Sequence, residues 1–286
     1  MKRKMPPLGA HVSVAGGVHT APERGKRIGA EVIQIFSKHG TRWAGKALGE
    51  DDIRAFREEG ARTGVRTVAI HSAYLINLGS SKETVRTRSL YALEDEASRA
   101  SMLGVPYLVM HPGSCGEDPE RVGIDRIASA FRTFGRFPAG ITLLLENTAG
   151  QGNSIGRTMG QLRGLLDAAG NPPDVAVCLD SAHLFESGYD IGSATGWEAF
   201  LAEMKEGRIL PLVRMWHLND SKTAAGSRVD RHEHIGEGRI DVSAFRRILT
   251  HKSFSTMPMV LETPKDGDDE FAMDLRNLAA LRKLIA

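Results

Sequence analysis

The sequence predicts a TIM barrel, the closed fold of eight strand-then-helix units. Eight short apolar segments recur along the chain, and amphipathic helical patterns lie between them. A segment such as residues 141–145 is apolar almost throughout, as in parallel strands that are buried on both faces. A doubly wound open sheet is the alternative, but no Gly-x-Gly-x-x-Gly motif follows the first segment, which disfavours a dinucleotide-binding fold.

The apolar segments set the expected strands in order. They cover residues 8–13, 32–36, 67–72, 107–111, 141–147, 175–180, 213–220 and 259–263. Among the intervening helices, one should open at Ser80-Ser81, one should have Pro119 at its first helical position, and one should be capped by Asp241. The residues that helical periodicity turns inward are Leu90, Leu93, Ala97, Ala100, Ile124, Ile127, Phe131, Phe134, Phe245, Ile248, Leu249, Phe271, Leu275, Leu278, Leu281 and Ile285.

Composition places the chain among ordinary globular proteins. It has 286 residues, 41% of them hydrophobic and 25% charged, and no linker-like segment divides it. We therefore expect one domain over residues 1–286, with residues 1–7 as an N-terminal extension. A net charge of +2 excludes a strongly basic nucleic-acid coat but allows a local positive face.

No segment indicates a membrane span or a secretory signal, and the two cysteines, Cys115 and Cys178, offer no disulfide framework. Cys178 lies in an apolar run, where a thiol simply packs. A cytoplasmic protein is the expectation, and we expect a monomer.

Ionisable residues mark the ends of the predicted strands. They are His71, His111, Glu146, Asp180, His183, His217 and Glu262, joined by Asp230 and His232 from the loop after the seventh strand. In a barrel of this class the carboxyl ends of the strands converge on one rim, where active sites lie. The nine groups should therefore meet.

Such a cluster is typical of a metal centre. Four carboxylates without counter-charge would repel one another and raise each other's pKa values, and bound divalent cations remove that cost. At about three protein ligands per ion, nine ligands indicate roughly three ions. The imidazoles favour Zn²⁺, with manganese or iron as an alternative at one position, and Glu146 is well placed to bridge two ions. Clustered metals of this kind suit phosphodiester hydrolysis.

Several long motifs resemble the endonuclease IV family of apurinic/apyrimidinic endonucleases, over essentially the whole chain. They begin at Gly9, His71, Leu145, Leu179, His217 and Arg228, and they read GAHVS, HSAYLINLG, LENTAGQG, LDSAHLFESGYD, HLNDSK and RVDRHEHIGEG. The resemblance implies a TIM barrel with three zinc ions. It also implies cleavage of double-stranded DNA on the 5′ side of an abasic site, leaving a 3′-hydroxyl, together with trimming of blocked 3′ ends.

The resemblance also distributes the ligands. It implies His71, His111 and Glu146 for a first zinc; Glu146, Asp180, His217 and Glu262 for a second; and His183, Asp230 and His232 for a third. Glu146 and Glu262 are the implied catalytic carboxylates, Glu262 orienting the attacking water. Spacing leaves His232 and His234 as alternatives, because alternate residues of an extended segment point the same way. The family motif selects His232.

DNA contacts are expected from loops around the rim. Lys38, Arg42 and Trp43 combine cations with an aromatic ring, as in phosphate contact and base stacking. Tyr74 matches a family tyrosine that inserts into the DNA. Where the family often has an inserting arginine this chain has Thr41, with Arg42 beside it as a candidate for that role. The other predicted phosphate contacts are Lys222, Arg228 and Arg231.

Two other functions compete. A sugar isomerase or epimerase on the same barrel would use one or two divalent ions, so the Asp230 and His232 pair with His183 argues against it. A non-catalytic protein that binds damaged DNA would use structural zinc, but structural zinc sites are closed and usually cysteine-rich, unlike this set.

Overall fold

Parallel strands close into a barrel of eight in the computed structural model, which describes residues 5–266 and 269–285. These strands are β1 (Leu8–His11), β2 (Val32–Phe36), β3 (Arg66–His71), β4 (Tyr107–Met110), β5 (Thr142–Glu146), β6 (Val175–Asp180), β7 (Val213–His217) and β10 (Met259–Leu261). Around the barrel the order is β1, β10, β7, β6, β5, β4, β3 and β2. The predicted TIM barrel is confirmed. Residues 1–4 of the expected N-terminal extension lie outside the described residues.

Helices surround the barrel. They are α1 (Ala21–Arg27), α2 (Glu50–Thr63), α3 (Glu83–Leu103), α4 (Glu120–Phe134), α5 (Met159–Ala168), α6 (Ser181–Ser187), α7 (Ala194–Glu206), α8 (Val242–Thr250) and α9 (Ala272–Lys283). Asp241 caps α8 as expected, its side chain accepting from the Ser243 amide at 2.8 Å. Across the described part of the chain, we find no helix whose length and apolarity would let it cross a membrane.

Some helix details differ from the prediction. Helix α3 starts at Glu83, because the Ser80 hydroxyl accepts from the Lys82 amide at 3.2 Å and closes a turn first. Pro119 is the N-cap of α4, with an extended ψ of 141°, and not its first helical residue. Leu275 was expected inside, but it is 44% exposed on the outer side of α9.

The seventh strand is shorter than predicted. It ends at His217, and the chain then forms a small antiparallel ribbon of β8 (Asp220–Ser221) and β9 (His232–Glu233). Asp220 stabilises the ribbon, because its buried carboxylate accepts from the amides of Gly236 and Ile240 at 2.9 and 3.0 Å. The ribbon brings the loop from 222 to 231 back over the rim.

Because successive side chains of a strand point to opposite faces, every second residue of each barrel strand points into the barrel interior. Val109, Leu144, Cys178, Met215 and Val260 form a buried apolar layer inside the barrel, which confirms that Cys178 packs. Two residues further on, each strand or strand end presents a polar side chain on the same face. Those side chains are His111, Glu146, Asp180, His217 and Glu262. The apolar layer is therefore the floor of a polar site at the rim.

Candidate metal centre

The rim holds three adjoining groups of potential metal ligands. Within each group the donor atoms all lie within 4.8 Å of one another. The groups are His71, His111 and Glu146; Glu146, Asp180, His217 and Glu262; and Asp180, His183 and His232. All nine predicted ligands thus lie at the rim, since Asp230 adjoins the third group.

Glu146 lies at the centre of the first two groups and is fully buried. Its Oε2 atom lies 3.2 Å from Nε2 of both His71 and His111. Its Oε1 atom lies 2.9 Å from Nδ1 of His217, which is in turn 3.3 Å from Oε2 of Glu262. One carboxylate therefore faces two separate sets of imidazoles, as a bridging ligand must.

The third group lies where α6 starts. Asp180 ends β6 and caps α6, its Oδ1 accepting from the His183 amide at 2.8 Å, which turns the His183 side chain into the site. Asp230 Oδ2 lies 3.4 Å from His183 Nε2, and Asp230 Oδ1 lies 3.6 Å from His232 Nε2. The sequence assigned Asp180 to the second group alone, whereas the structure places it in the second and third groups.

Hydrogen bonds set the tautomers of the imidazoles. Nδ1 of His71 lies 2.8 Å from the Ser72 carbonyl oxygen, Nδ1 of His183 lies 2.9 Å from that of Asn147, and Nδ1 of His232 lies 3.1 Å from that of Glu262. A carbonyl oxygen only accepts, so each Nδ1 carries a proton and donates it. In the neutral ring the lone pair is then on Nε2, which points into the site, the arrangement that metal-ligating histidines use.

The donor set fits divalent metal ions. These Nε2 lone pairs face carboxylate oxygens, which are also acceptors, so either a proton on the imidazole or a metal ion has to lie between them. Nε2 of His183 and Nε2 of His232 are buried, and within the described residues neither has a hydrogen-bond partner. Buried polar atoms in proteins are rarely left without partners, and a metal ion at this point would satisfy both.

Without metal, protons take the cationic role. Burial opposes the charged form of both rings, but Asp180 and Asp230 raise the pKa of His183, and Cys178, Glu262 and Glu146 raise the pKa of His217, in both cases well above the ordinary range. Burial also opposes the charged form of Glu146, but His217 and His111 hold the pKa of this carboxyl well below its usual value. Metal binding must therefore displace protons from the imidazoles.

Gln34 and His11 are site residues that the sequence reasoning missed. Gln34 Oε1 lies 3.0 Å from His217 Nε2 and accepts its proton, while Gln34 Nε2 donates to Glu262 Oε1 at 2.5 Å. His11 Nδ1 lies 3.0 Å from Gln34 Nε2 and 3.5 Å from Glu262 Oε1. His11 lies two residues after Gly9 in β1, and Gln34 lies two residues after Val32 in β2. Because side chains alternate along a strand, this spacing could have predicted that both point into the barrel.

Two asparagines join neighbouring strand ends. Asn147 Oδ1 accepts from the Asp180 amide at 2.6 Å, and Asn219 Nδ2 donates to Asp180 Oδ2 at 2.6 Å. Asn219 Oδ1 also accepts from the Glu262 amide at 2.7 Å. Asn147 and Asn219 lie in the LENTAGQG and HLNDSK motifs, which resemble the endonuclease IV family, but nothing in the sequence indicated their role.

The two histidines of the ribbon point to different places. His232 lines the cavity at the rim, whereas His234 is buried beneath it, with Nδ1 3.0 Å from Asn277 Nδ2. The structure therefore places His232, not His234, beside the other ligands.

A cavity of about 550 Å³ opens over the ligands. Tyr74 stands at its edge and is 66% exposed, with its ring 5.4 Å from that of Phe36. Arg231 also lines the cavity. Lys222 and Arg228 are exposed on the same loop, which follows β8.

The three predicted DNA contacts in the loop after β2 differ in how exposed they are. Arg42 is exposed, and Trp43 is half-buried beneath the Arg88 guanidinium, whose central carbon is 4.6 Å from the ring centre. Lys38 was expected to meet phosphate, but it is 6% exposed and its ammonium lies 2.5 Å from Asp95 Oδ2 and 3.5 Å from Glu96 Oε1. The charge of Lys38 is therefore already paired inside the protein, and a contact of Lys38 with DNA stays a prediction.

The fold and the rim define a class, namely a TIM-barrel enzyme whose site can bind metal ions. Residues 22–284 match the family described as a xylose isomerase-like TIM barrel. A probable endonuclease 4 of Geobacter sulfurreducens is 43% identical over 97% of this chain and 94% of its own length, and one of Chloroflexus aurantiacus is 41% identical over 98% and 99%. The crystal structure of endonuclease IV from Thermus thermophilus superposes with a TM-score of 0.83, at 32% identity and covering 98% of both chains.

The chain therefore belongs to the endonuclease 4 family, and it is a nuclease. The family resemblance noted in the motifs is confirmed. An L-ribulose 3-epimerase structure also superposes, with a TM-score of 0.71 at 16% identity over 98% of this chain and 96% of that one. At that identity the likeness shows the shared barrel alone.

Proposed function

We propose that this protein repairs DNA by hydrolysing the phosphodiester on the 5′ side of abasic sites in duplex DNA, leaving a 3′-hydroxyl, and that it also trims blocked 3′ ends. The observation that carries the proposal is the third ligand group beside the other two. Membership of the endonuclease 4 family supports the same reaction. The protein acts as a monomer in this proposal.

Three zinc ions fit the three groups. His71, His111 and Glu146 would hold one, and Glu146, Asp180, His217 and Glu262 a second. His183, His232 and Asp230 would hold the third, with Asp180 near enough to share it. When bound, the ions supply Lewis acidity, which lowers the pKa of water and neutralises the charge of the phosphate and the leaving oxygen.

The protein's own groups orient the reactants. Glu262 is partly exposed to the cavity. Gln34 donates a hydrogen bond to its carboxylate, and Asn219 accepts one from its backbone amide. Its acceptor oxygens can orient a water molecule for in-line attack on phosphorus. Burial disfavours its charged form, but His217 and His11 keep the pKa of this carboxyl low, so it remains an acceptor at neutral pH.

The rim around the cavity suits the substrate. The exposed ring of Tyr74 can enter a gap in a base stack, and a duplex that lacks one base is easier to unstack there. Arg42 and Trp43 belong to the loop after β2, and Lys222, Arg228 and Arg231 belong to the loop after β8. Together they provide cations for phosphates and aromatic surfaces for bases.

A matched pair of proteins tests the proposal. The wild-type protein with zinc should nick a duplex that contains one abasic residue, and metal analysis should find about three equivalents. Glu262→Gln should fold and bind this duplex while its incision rate falls by about 10² or more, because a charged acceptor is lost from the site. Gel-based incision assays measure the rates, with an undamaged duplex as the control substrate.

Other outcomes would favour the alternatives. One or two metal equivalents with turnover of a ketose would indicate a sugar epimerase. Tight binding of abasic DNA without a nick at saturating zinc would indicate a damage-binding protein.

A further inference from the structure

Helix α3 carries a buried charged cluster that the metal centre does not use. Glu96 is fully buried, Arg99 is 4% exposed, and Asp95 is partly exposed. Arg99 Nε donates to Asp95 at 3.0 Å. Buried charges are costly unless they are paired, so the partners of this cluster show what it holds in place.

Those partners belong first to the loop after β2, residues 37–49, which we call rim loop A. The Ser37 hydroxyl donates to Glu96 Oε2 at 2.6 Å, and Lys38 Nζ lies 3.5 Å from Glu96 Oε1. Arg99 donates to the carbonyl oxygens of Ser37 at 3.4 Å and Lys46 at 2.8 Å. Helix α3 therefore holds rim loop A near both of its ends.

Rim loop A packs closely on this cluster and reaches along α3. A Cβ atom added to Gly45 would lie 2.6 Å from Cβ of Lys38 and 3.3 Å from Nη2 of Arg99. Near the start of α3, Arg88 covers the ring of Trp43. Trp43 and Arg42, the proposed DNA contacts, thus lie on a loop that the buried side chains of Glu96 and Arg99 hold near both ends, through an ion pair with Lys38 and hydrogen bonds to Ser37 and Lys46.

The same carboxylate holds a second loop. Glu96 Oε1 accepts from the Ala73 amide at 3.3 Å, in the loop after β3, residues 72–82, which we call rim loop B. The next residue, Tyr74, donates its amide proton to the Gly40 carbonyl of rim loop A at 2.9 Å. One buried side chain therefore joins the two loops that carry Tyr74, Arg42 and Trp43.

We propose that Glu96 is a positioning residue for DNA recognition, which fixes the spacing between rim loops A and B so that Tyr74, Arg42 and Trp43 meet one duplex together. The inference rests on the proposed function, because it gives these loops the task of binding abasic DNA. Without the carboxylate, each loop keeps its own fold but the hydrogen bonds of Ser37 and Ala73 to α3 are lost. Displacement by about 1 Å is enough to weaken binding contacts strongly.

Kinetics of three variants test the proposal. Glu96→Ala should raise KM for the abasic duplex by about tenfold or more, with kcat, zinc content and hydrolysis of the small diester bis(p-nitrophenyl) phosphate nearly unchanged. Glu96→Gln should stay close to wild type, because an amide can still accept from Ala73 and bond Ser37. Glu94→Ala, on the exposed face of the same helix, removes the same charge and is the matched control.

Fluorescence gives a readout that does not depend on catalysis. Trp197 and Trp216 are 5% and 0% exposed, so acrylamide quenching reports mainly on Trp43 in rim loop A. Quenching should increase in Glu96→Ala and remain at the wild-type level in Glu96→Gln and Glu94→Ala. If Glu96→Ala does not fold, Ser37→Ala removes one of the two loop bonds and should shift KM and quenching in the same direction.

The results separate the two proposals. Unchanged KM and quenching in the folded variant would overturn the role of Glu96, as would an equal loss of duplex and small-diester cleavage, which indicates general damage. If the wild-type protein fails to nick abasic DNA, the proposed function falls, while the quenching result still shows whether Glu96 holds rim loop A.

Discussion

At the scale of single residues, the geometry of the candidate site depends on two kinds of side chain. Some are the predicted metal ligands, and others orient those ligands through hydrogen bonds. Gln34 is the clearest case, since its amide oxygen accepts from His217 and its amide nitrogen donates to Glu262. This sets the His217 tautomer, leaving Nδ1 to face Glu146. A glutamine at this point satisfies both partners with one group, which a carboxylate or an apolar residue could not do.

Gln34→Ala should weaken metal binding by about 10- to 100-fold without unfolding the protein, because the ligands His217 and Glu262 lose their orientation. Competition with a chromogenic chelator measures the zinc affinity. Gln161→Ala is the matched control, since this largely buried glutamine of α5 bonds Gly156 and Glu120 instead. Equal zinc affinity in the two variants would contradict the role assigned to Gln34.

At the scale of elements, the order of apolar segments was sufficient to predict the barrel. The barrel strands are short and mostly apolar and buried, and a polar group lies at or just after the end of each one. The boundaries of α3 and α4 were less predictable, because a local turn at Ser80 and the extended conformation of Pro119 decide them. The β8–β9 ribbon was also missed, since strands of 2 residues each are too short to show a periodicity.

Strand β1 shows how tightly the barrel closes. Gly9 lies beside Val32 of β2, and a Cβ atom added there would be 1.5 Å from the Val32 carbonyl oxygen. No side-chain rotation can relieve a clash with backbone, so the two strands would have to separate.

Gly9→Ala should therefore destabilise the protein by about 3 kcal/mol or more, measured as the free energy of unfolding in urea. Gly164→Ala is the control, because the described structure has open space around that position of α5 and alanine favours a helix. The control should be as stable as the wild type or slightly more stable. Equal stability of Gly9→Ala and wild type would show that β1 and β2 can separate at Gly9 without a cost in free energy.

At the scale of the whole molecule, the candidate metal centre joins six of the eight barrel strands. The predicted ligands come from the ends of β3, β4, β5, β6 and β7, from the segment after β10, from α6 and from β9 with the loop before it. The site exists only in the folded chain, so ions bound there stabilise the folded state over the unfolded state. Their removal should therefore lower the stability of the protein.

Metal removal should also change how stability depends on pH. The raised pKa values of His183 and His217 stabilise the metal-free fold fully below their ordinary value of about 6.5, and this contribution is lost as pH rises through the raised values. Glu146 and Glu262 have lowered pKa values, so their contribution is present above about 4.3 and does not change in this range.

Thermal unfolding with EDTA and with zinc checks this expectation. Between about pH 6 and 9 the Tm of the metal-free protein should fall, whereas the gain from zinc should increase, since fewer protons compete for the imidazoles. Parallel curves with and without zinc would contradict a centre built on these histidines. Magnesium, which prefers oxygen ligands, is the control cation and should raise the Tm less than zinc does.

The sequence alone determined the barrel, the positions of its strands and the set of nine ionisable groups at their ends, because apolar periodicity and strand-end placement are local patterns. It could not show that Lys38 is buried against Asp95 and Glu96, that Gln34 orients His217, or that Asp180 adjoins two ligand groups. Those facts depend on which side chains from distant segments meet. Closure of the barrel decides such contacts, because it brings β2 against β3 and β1 against β10, and charge pairing in its low-dielectric surroundings then determines the partners.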